Sequence, residues 1–189
     1  MPQQQPQTQQ RRQPRSQNNR PRQAPPKHKK IFAFIDSQNL NLGIRSSGWS
    51  LDFQKFRRLL KEKYHVEKAF LFIGHVTGNE ELYTYLRESG YEVIYKPTLE
   101  FKRKEERITK GNVDAELVMH TMIQWPNFEE CIIVSGDGDF FCIIEHLEKN
   151  QKLHKILVPS QKYSSLLKPF AQKIIYVGLF RKKVEKKEG

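Results

Sequence analysis

The chain has 189 residues, with 33 basic and 21 acidic side chains and a formal net charge of +12. This length suits one domain with additional tails. No apolar run is long enough to span a membrane, and the N-terminus lacks the apolar block of a signal peptide, so we expect a cytoplasmic protein without membrane spans. Cys131 and Cys142 lie among apolar residues, which predicts two buried thiols rather than a disulfide framework.

Most of the net positive charge lies at the two ends of the chain. Residues 1–30 carry eight basic and no acidic side chains, and residues 181–189 carry five basic and two acidic ones. The other 20 basic and 19 acidic side chains fall in residues 31–180. We therefore predict a disordered basic tail rich in Gln, Pro and Arg over residues 1–30, a folded domain over residues 31–180, and a basic C-terminal tail over residues 181–189.

A basic tail on a nearly neutral body is suited to a polyanion, because each phosphate that it neutralises releases bound counterions. Nucleic acid is the first candidate, and an anionic membrane surface is the second, although the N-terminal tail lacks apolar anchors. A tail that only keeps the chain in solution is the plain alternative. The Arg-rich N-terminus also leaves an organelle transit peptide open, although its Gln and Pro content argues against an amphipathic helix.

Apolar runs bounded by turn-forming residues alternate with segments of helical periodicity. The predicted strands are Ile31–Ile35, Val66–Ile73, Tyr91–Tyr95, Cys131–Val134, Lys155–Val158 and Ile174–Val177. The predicted helices are a short segment at 36–42, then Leu51–Tyr64, Glu80–Ser89, Val113–Gln124, Phe140–Lys149 and Lys162–Phe170.

Two segments need separate comment. Residues 96–110 are polar and rich in charge, which indicates an excursion or a hairpin after the third strand. In the helix predicted from Val113, the apolar residues Ala115, Val118 and Met122 share one stripe, and Asp114 falls in the first turn. A carboxylate at that position complements the helix dipole.

The alternation of strands and helices predicts a three-layer α/β/α fold with a mostly parallel central sheet. In such sheets ligands bind beyond the C-terminal ends of the strands, near a switch in strand order. Asp36 follows the first predicted strand, and Asp137 and Asp139 follow the fourth. We therefore expect these carboxylates at one edge, where Asp114 could join them from a helix N-terminus.

These four aspartates are candidates for a metal site. Asp137 and Asp139 are two residues apart, so their charges repel unless one takes up a proton or a cation lies between them. Oxygen ligands suit Mg²⁺ or Mn²⁺ and disfavour zinc. One or two such ions could deprotonate a water and stabilise the charge that develops in phosphodiester hydrolysis. The alternative is that the Asp-Gly sequence only forms a turn and caps the next helix.

Three segments carry a resemblance to a known family. They are F-I-D-S-Q-N-L at residues 34–40, K-G-N-V-D at residues 110–114 and I-V-S-G-D-G-D-F at residues 133–140. In this order and spacing they resemble the three signatures of the NYN domain, a family of the PIN-like nuclease superfamily that includes the LabA-like bacterial proteins. The similarity spans residues 31–180 and implies a PIN-like fold with a ribonuclease-type site dependent on Mg²⁺ or Mn²⁺.

The resemblance also implies roles for single residues. Asp36 matches the first acidic ligand, Asp114 the acid after the Lys-Gly motif, and Asp137 and Asp139 the final acidic pair. Asn39 matches an Asn that supports the ligands or hydrogen-bonds the substrate. Ser135 would orient the acidic loop through its hydroxyl. This chain has Ala171-Gln172 where the family often carries an acid.

Basic residues near the same edge are candidates for RNA contacts. Lys110 could contact a phosphate or hold the carboxylates in register, although a solvated lysine at a helix start is the alternative. A charged strip with Phe101 as a stacking group could follow the RNA backbone, although three glutamates dilute it. Its cations are Lys102, Arg103, Lys104 and Arg107. The arginines of the N-terminal tail, Arg11, Arg12, Arg15, Arg20 and Arg22, would hold RNA near the site.

The leading hypothesis is a metal-dependent endoribonuclease. The alternative is a non-catalytic module on a PIN-like fold that binds RNA or a regulatory protein. A metal-dependent phosphatase is disfavoured, because it would want a second Asp two residues after its nucleophile, where Asp36 is followed by Gln38. The oligomeric state stays open between a monomer and a homodimer.

Overall fold

The computed structural model describes residues 29–97, 99–103, 106–110 and 113–187, with side chains described for residues 29–96 and 113–187. The strands are β1 (Ile31–Asp36), β2 (Val66–His75), β3 (Glu92–Pro97), β4 (Leu99–Arg103), β5 (Glu106–Lys110), β6 (Glu130–Val134), β7 (Leu153–Val158) and β8 (Ile174–Tyr176). The α-helices are α1 (Ser37–Arg45), α2 (Phe53–Tyr64), α3 (Glu80–Glu88), α4 (Asp114–Ile123), α5 (Phe141–Lys149) and α6 (Arg181–Val184). Short 3-10 segments cover Trp125–Asn127, Gly138–Phe140, Ser165–Lys173 and Val177–Phe180.

Six strands form one parallel sheet in the order β3-β2-β1-β6-β7-β8. The chain builds outward from β1 through β2 to β3, returns to place β6 on the free side of β1, and then builds outward to β8. The switch in strand order therefore lies between β1 and β6. Strands β4 and β5 form a separate antiparallel hairpin, one of the two alternatives that the sequence left open. The predicted three-layer α/β/α, PIN-like fold is confirmed.

Strand β1 is buried along its whole length because helices cover both faces of the sheet. Ile31, Ala33 and Ile35 lie in the apolar cluster that includes residues of α1, α2, α3 and α6. The alternate residues Phe32 and Phe34 lie in the cluster formed with α4 and α5. Side chains alternate across a strand, so two-sided cover explains why the sequence shows a continuous apolar run there.

The apolar stripe of α4 that the sequence shows is not the side that the fold buries. Leu117 and Thr121 are the buried residues of the helix, whereas Ala115 and Met122 are exposed and Val118 is half-buried. Apolar residues occur on several sides of α4, so the sequence pattern does not single out the side that meets the sheet.

Two smaller expectations also fail. The helix predicted over Lys162–Phe170 is instead a 3-10 segment over Ser165–Lys173, with Pro169 inside it and Ser164 as its cap. Proline removes a backbone donor and disrupts regular α-helix geometry there. Cys131 is buried as expected, but Cys142 is exposed, because α5 turns Ile143, Ile144 and Leu147 inward instead.

The C-terminal segment 181–187 does not extend away from the body of the protein. Val184 is fully buried against the cluster that contains α2. The backbone N–H of Asp52 donates to the carbonyl of Val184 at 2.8 Å, and that of Lys186 donates to Ser50 at 2.9 Å. The ordered body therefore continues past residue 180. Among the described residues, no helix has the length and apolar character needed to cross a membrane.

Candidate active site

The switch in strand order brings two chain segments together at the C-terminal edge of the sheet. Ile35 of β1 pairs with Val134 of β6, and each strand ends within one residue of that pair. Asp36 and the loop Ser135–Asp139 therefore leave the sheet side by side, although about a hundred residues separate them in the chain. This is the position where open α/β sheets bind ligands.

Asp36 is a buried carboxylate with only 5% of its surface exposed. Its Oδ1 accepts a hydrogen bond from the backbone N–H of Asn39 at 3.0 Å and so caps α1. The pKa of Asp36 is raised from 3.8 to about 6, mainly by burial; hydrogen bonds from backbone N–H groups oppose this rise, and the nearby carboxylates of Asp114 and Asp137 add to it. Asp36 is thus a buried acid whose charge is costly without a counterion.

Asp114 approaches Asp36 from a different part of the chain. It is the first residue of α4 and is half-buried. Helix α4 lies against β1 and against the 3-10 turn Gly138–Phe140. Asp36, Asp114 and Asp137 therefore interact electrostatically at one edge, whereas Asp139, two residues further, is exposed on the turn.

Hydrogen bonds hold the acidic loop in place. The Gly136 N–H donates to Asn39 Oδ1 at 2.9 Å, which ties the loop to α1. The buried Ser135 accepts from the Asp137 N–H through Oγ at 3.1 Å, and Asp137 Oδ1 accepts from the Asp139 N–H at 3.1 Å. Asp137 thus caps the 3-10 turn, and Asp36 caps α1. Each cap uses Oδ1, so capping and a chemical role are compatible.

The two glycines of the loop pack closely against the segment after β7, most tightly at Gly138. A Cβ on Gly138 would lie 2.4 Å from Ser164 Oγ, and a Cβ on Gly136 would lie 3.2 Å from Tyr163 Cβ. The Ser164 N–H also donates to the Gly136 carbonyl at 2.9 Å. Tyr163 and Ser164 therefore support the acidic loop. Nothing local in the sequence shows that Ser164 meets residues 136–138.

The bridge between Asn39 and Gly136 can be tested by substitution. We expect Asn39→Ala to leave the half-buried Gly136 N–H without its acceptor, which costs about 1 kcal/mol of stability. Loosening a group that orients site carboxylates typically lowers activity about 10- to 100-fold. Denaturant unfolding and an RNA cleavage assay measure both effects. Gln38→Ala, at the exposed neighbouring position, is the matched control. Equal behaviour of the two variants would show that the bridge has no role.

Other predicted residues are only partly described. Lys102, Arg103, Arg107 and Lys110 lie in β4 and β5, which follow β3 in the chain, but their side chains are outside the described part of the structure. Lys104 and the tail arginines Arg11, Arg12, Arg15, Arg20 and Arg22 lie outside the described residues altogether. Their proposed RNA contacts therefore stay predictions.

The donor chemistry of the edge fits a hard divalent cation, since the predicted ligands are all carboxylates. The nearby His75, the last residue of β2, stacks on Tyr83 at 5.5 Å and meets the ring of Tyr95 edge-on. Among residues with described side chains, no three His, Cys, Asp or Glu groups are arranged closely enough to hold a metal ion as they stand. The carboxylates are gathered at one edge, and a bound ion would have to draw them closer.

Comparison with known proteins agrees with this architecture. A sequence model of the NYN domain matches residues 30–178. Low amplitude and bright protein LabA of Synechococcus elongatus is 25% identical over 129 residues, covering 65% of this chain and 69% of that protein. A crystal structure of a Vibrio parahaemolyticus protein of unknown function superposes with a TM-score of 0.66 at 23% identity, covering 82% of this chain and 96% of that one. That likeness shows the fold alone. Because the family match spans most of the chain, the protein belongs to the NYN domain family, within the PIN-like nuclease superfamily.

Proposed function

We propose that the protein is a cytoplasmic, metal-dependent endoribonuclease whose site is formed by Asp36, Asp114, Asp137 and Asp139. Membership of the NYN family supports a nuclease-type, RNA-related role. The observation that carries the finer proposal is the meeting of three aspartates from β1, α4 and the loop after β6 at the switch in strand order. Burying an acid beside two others costs stability, which is reasonable where a cation is needed.

Each aspartate has a distinct task in this proposal. A bound Mg²⁺ or Mn²⁺ would supply Lewis acidity toward the phosphodiester and toward water. Asp36 would offer a carboxylate fixed by the start of α1. Asp137 would offer the oxygen that the turn leaves free, since its described hydrogen bond uses Oδ1. Asp114 and the exposed Asp139 would lie on the solvent side of Asp36 and Asp137, where a substrate phosphate can enter.

The residues around the aspartates would act by positioning. Asn39 and Ser135 hold the acidic loop against α1 and against its own backbone. Lys110 precedes α4 closely in the chain and would contact a substrate phosphate. We propose that the basic residues of the β4–β5 hairpin and the arginines of the N-terminal tail bind the RNA backbone by neutralising its phosphates. Binding of this kind does not depend on the RNA sequence and weakens as the salt concentration rises.

The proposal is tested by cleavage of single-stranded and structured RNA by the purified full chain. We expect cutting in Mn²⁺ or Mg²⁺ and none in EDTA. Since water is the proposed nucleophile, replacing the 2′-hydroxyl at the scissile nucleotide with hydrogen should preserve cleavage, and no cyclic phosphate should form. Cleavage that needs the 2′-hydroxyl and persists in EDTA would contradict the proposal and indicate a contaminating nuclease.

A second candidate is a non-catalytic RNA-binding module, for which the basic residues at the two ends of the chain would suffice. This candidate predicts that RNA binding persists in EDTA and that no RNA is turned over after either metal is added. Turnover that depends on metal would exclude it.

A further inference from the structure

A second feature of the molecule lies along α1 and the C-terminal segment. It is beside the edge of the sheet that carries Asp36, Asp114, Asp137 and Asp139, which we call the aspartate edge. Two depressions, of about 1070 and 520 Å³, share Arg45, Ser50 and Lys186 among their lining residues, so they form one continuous groove. The smaller depression begins at Ser37, the residue after Asp36, and the larger one is lined by Trp49 and by residues of segment 181–187. We call this feature the α1 groove.

One end of the α1 groove lies at Ser37, next to Asp36 at the N-terminal end of α1. Ser37, Asn41 and Arg45 line it and are four residues apart, so they share one side of α1. Eight residues of α-helix span about 12 Å. The groove therefore leads from the N-terminal end of α1, beside Asp36, to a basic region at its C-terminal end.

The charge of the groove is strongly positive and mostly uncompensated. Its two acids are already engaged, since Asp52 pairs with Lys55 at 3.3 Å and Glu185 pairs with Arg181 at 2.8 Å. The other cations are exposed and have no ion-pair partner among the described residues. These unpaired cations are Arg45, Lys182, Lys183, Lys186 and Lys187.

Tertiary contacts fix the backbone that carries these cations. Glu185 forms an antiparallel bridge with Leu51, and the side chain of Lys55 donates to the Glu185 carbonyl at 2.9 Å. The Arg181 guanidinium lies 5.8 Å from the centre of the Trp49 ring. A solvated tail would spread its charges apart in water, whereas this segment concentrates them along one wall of a groove. Such a concentration repels itself and gains most from a polyanion.

We propose that the α1 groove binds the sugar-phosphate backbone of single-stranded RNA on one side of the cleavage site. This inference rests on the proposed function and names where the substrate lies. RNA fits better than an anionic membrane, because the cations line a concave groove that leads to the aspartate edge. A membrane surface would instead favour cations around exposed apolar anchors, and the exposed Leu179 lies two residues before Arg181, so binding to anionic vesicles is measured beside RNA binding.

Charge neutralisation in the groove tests this proposal. The variant carries Lys182→Gln, Lys183→Gln and Lys187→Gln, all at exposed positions. The control carries Lys61→Gln, Lys68→Gln and Lys149→Gln, which are exposed on α2, β2 and α5 and remove the same net charge. Binding of a fluorescein-labelled 16-nucleotide RNA to the full chain is measured by anisotropy in EDTA across a series of salt concentrations.

We expect the groove variant to bind RNA about tenfold or more weakly at low salt, and its log–log salt slope to fall by about two, at about 0.7 per lost phosphate contact on a single strand. The control should change far less. Equal changes in both variants would overturn the proposal. So would a groove variant that keeps its RNA affinity but no longer binds phosphatidylserine vesicles, since the ligand would then be a membrane.

Because binding is measured without metal, the outcome is independent of turnover. If the wild type cleaves RNA and the groove variant binds RNA normally, the proposal for the groove is wrong and the nuclease proposal stands. A groove variant that loses RNA binding, in a protein that cleaves no RNA with any metal, would support the groove and overturn the nuclease proposal.

Discussion

Asp137→Asn is expected to lower RNA cleavage by about 10³-fold, equivalent to about 4 kcal/mol of transition-state stabilisation. The substitution is nearly isosteric, and the amide oxygen can still accept the hydrogen bond from the Asp139 N–H that closes the turn. The change therefore removes charge while it keeps the loop. Single-turnover cleavage at saturating protein measures the chemical step apart from RNA binding.

The matched control for this prediction is Glu145→Gln. Glu145 lies on α5 and pairs with Lys149 at the surface, so the control removes one negative charge away from the aspartate edge. We expect it to cleave RNA like the wild type. If Asp137→Asn cleaved RNA as fast as this control, Asp137 would have no catalytic role, and the proposed site would be wrong.

Asp36→Asn is expected to abolish cleavage and at the same time to stabilise the metal-free protein at pH 7 by roughly 2–3 kcal/mol. The pKa of Asp36 is raised from 3.8 to about 6 in the folded state, mainly by burial. Ionising it in the fold therefore costs about 1.4 kcal/mol for each unit of that rise. The asparagine carries no charge, and its amide oxygen can still cap α1 by accepting from the Asn39 N–H.

The sign of the pH dependence follows from proton binding. Between about pH 4 and pH 6 the folded state holds the proton of Asp36 more tightly than the unfolded state, so wild-type stability falls as the pH rises through this window. The variant lacks this loss, and the two proteins should be equally stable near pH 4. Urea unfolding in EDTA at several pH values measures the difference. A variant less stable than the wild type at pH 7 would contradict this account of Asp36.

Adding Mn²⁺ provides a second readout for the same pair of proteins. A ligand that binds only the folded state raises the free energy of unfolding. We expect Mn²⁺ to stabilise the wild type at pH 7 and to stabilise Asp36→Asn much less. This difference separates a cation-binding carboxylate from one whose burial is merely costly.

The sequence predicts the aspartate edge well because the relevant rules are topological. A continuous apolar run ending in Asp36, and another ending before Ser135, are typical of buried parallel strands. Parallel strands end at the same edge of the sheet, so the proximity of the two acidic segments could be predicted without knowledge of side-chain contacts. The six predicted strands all occur in the sheet for the same reason.

Features that depend on distant partners could not be predicted in this way. The buried side of α4 is set by where the helix meets β1, since apolar residues such as Leu117 and Met122 lie on different sides of it. The close packing of Gly138 is explained by Ser164, whose position depends on the path of the chain after β7. The sequence alone indicates a basic tail at residues 181–187. The backbone partners of this segment lie at residues 50–52, far away in the sequence, so its packing could not be predicted.

Diffraction from crystals soaked in Mn²⁺ tests whether the four aspartates form one cation site. We expect an anomalous peak bounded by the carboxylates of Asp36, Asp114, Asp137 and Asp139, and its loss in Asp36→Asn. An ion bound elsewhere, or no peak at this edge at an Mn²⁺ concentration that supports RNA cleavage, would show that the aspartates do not form this site.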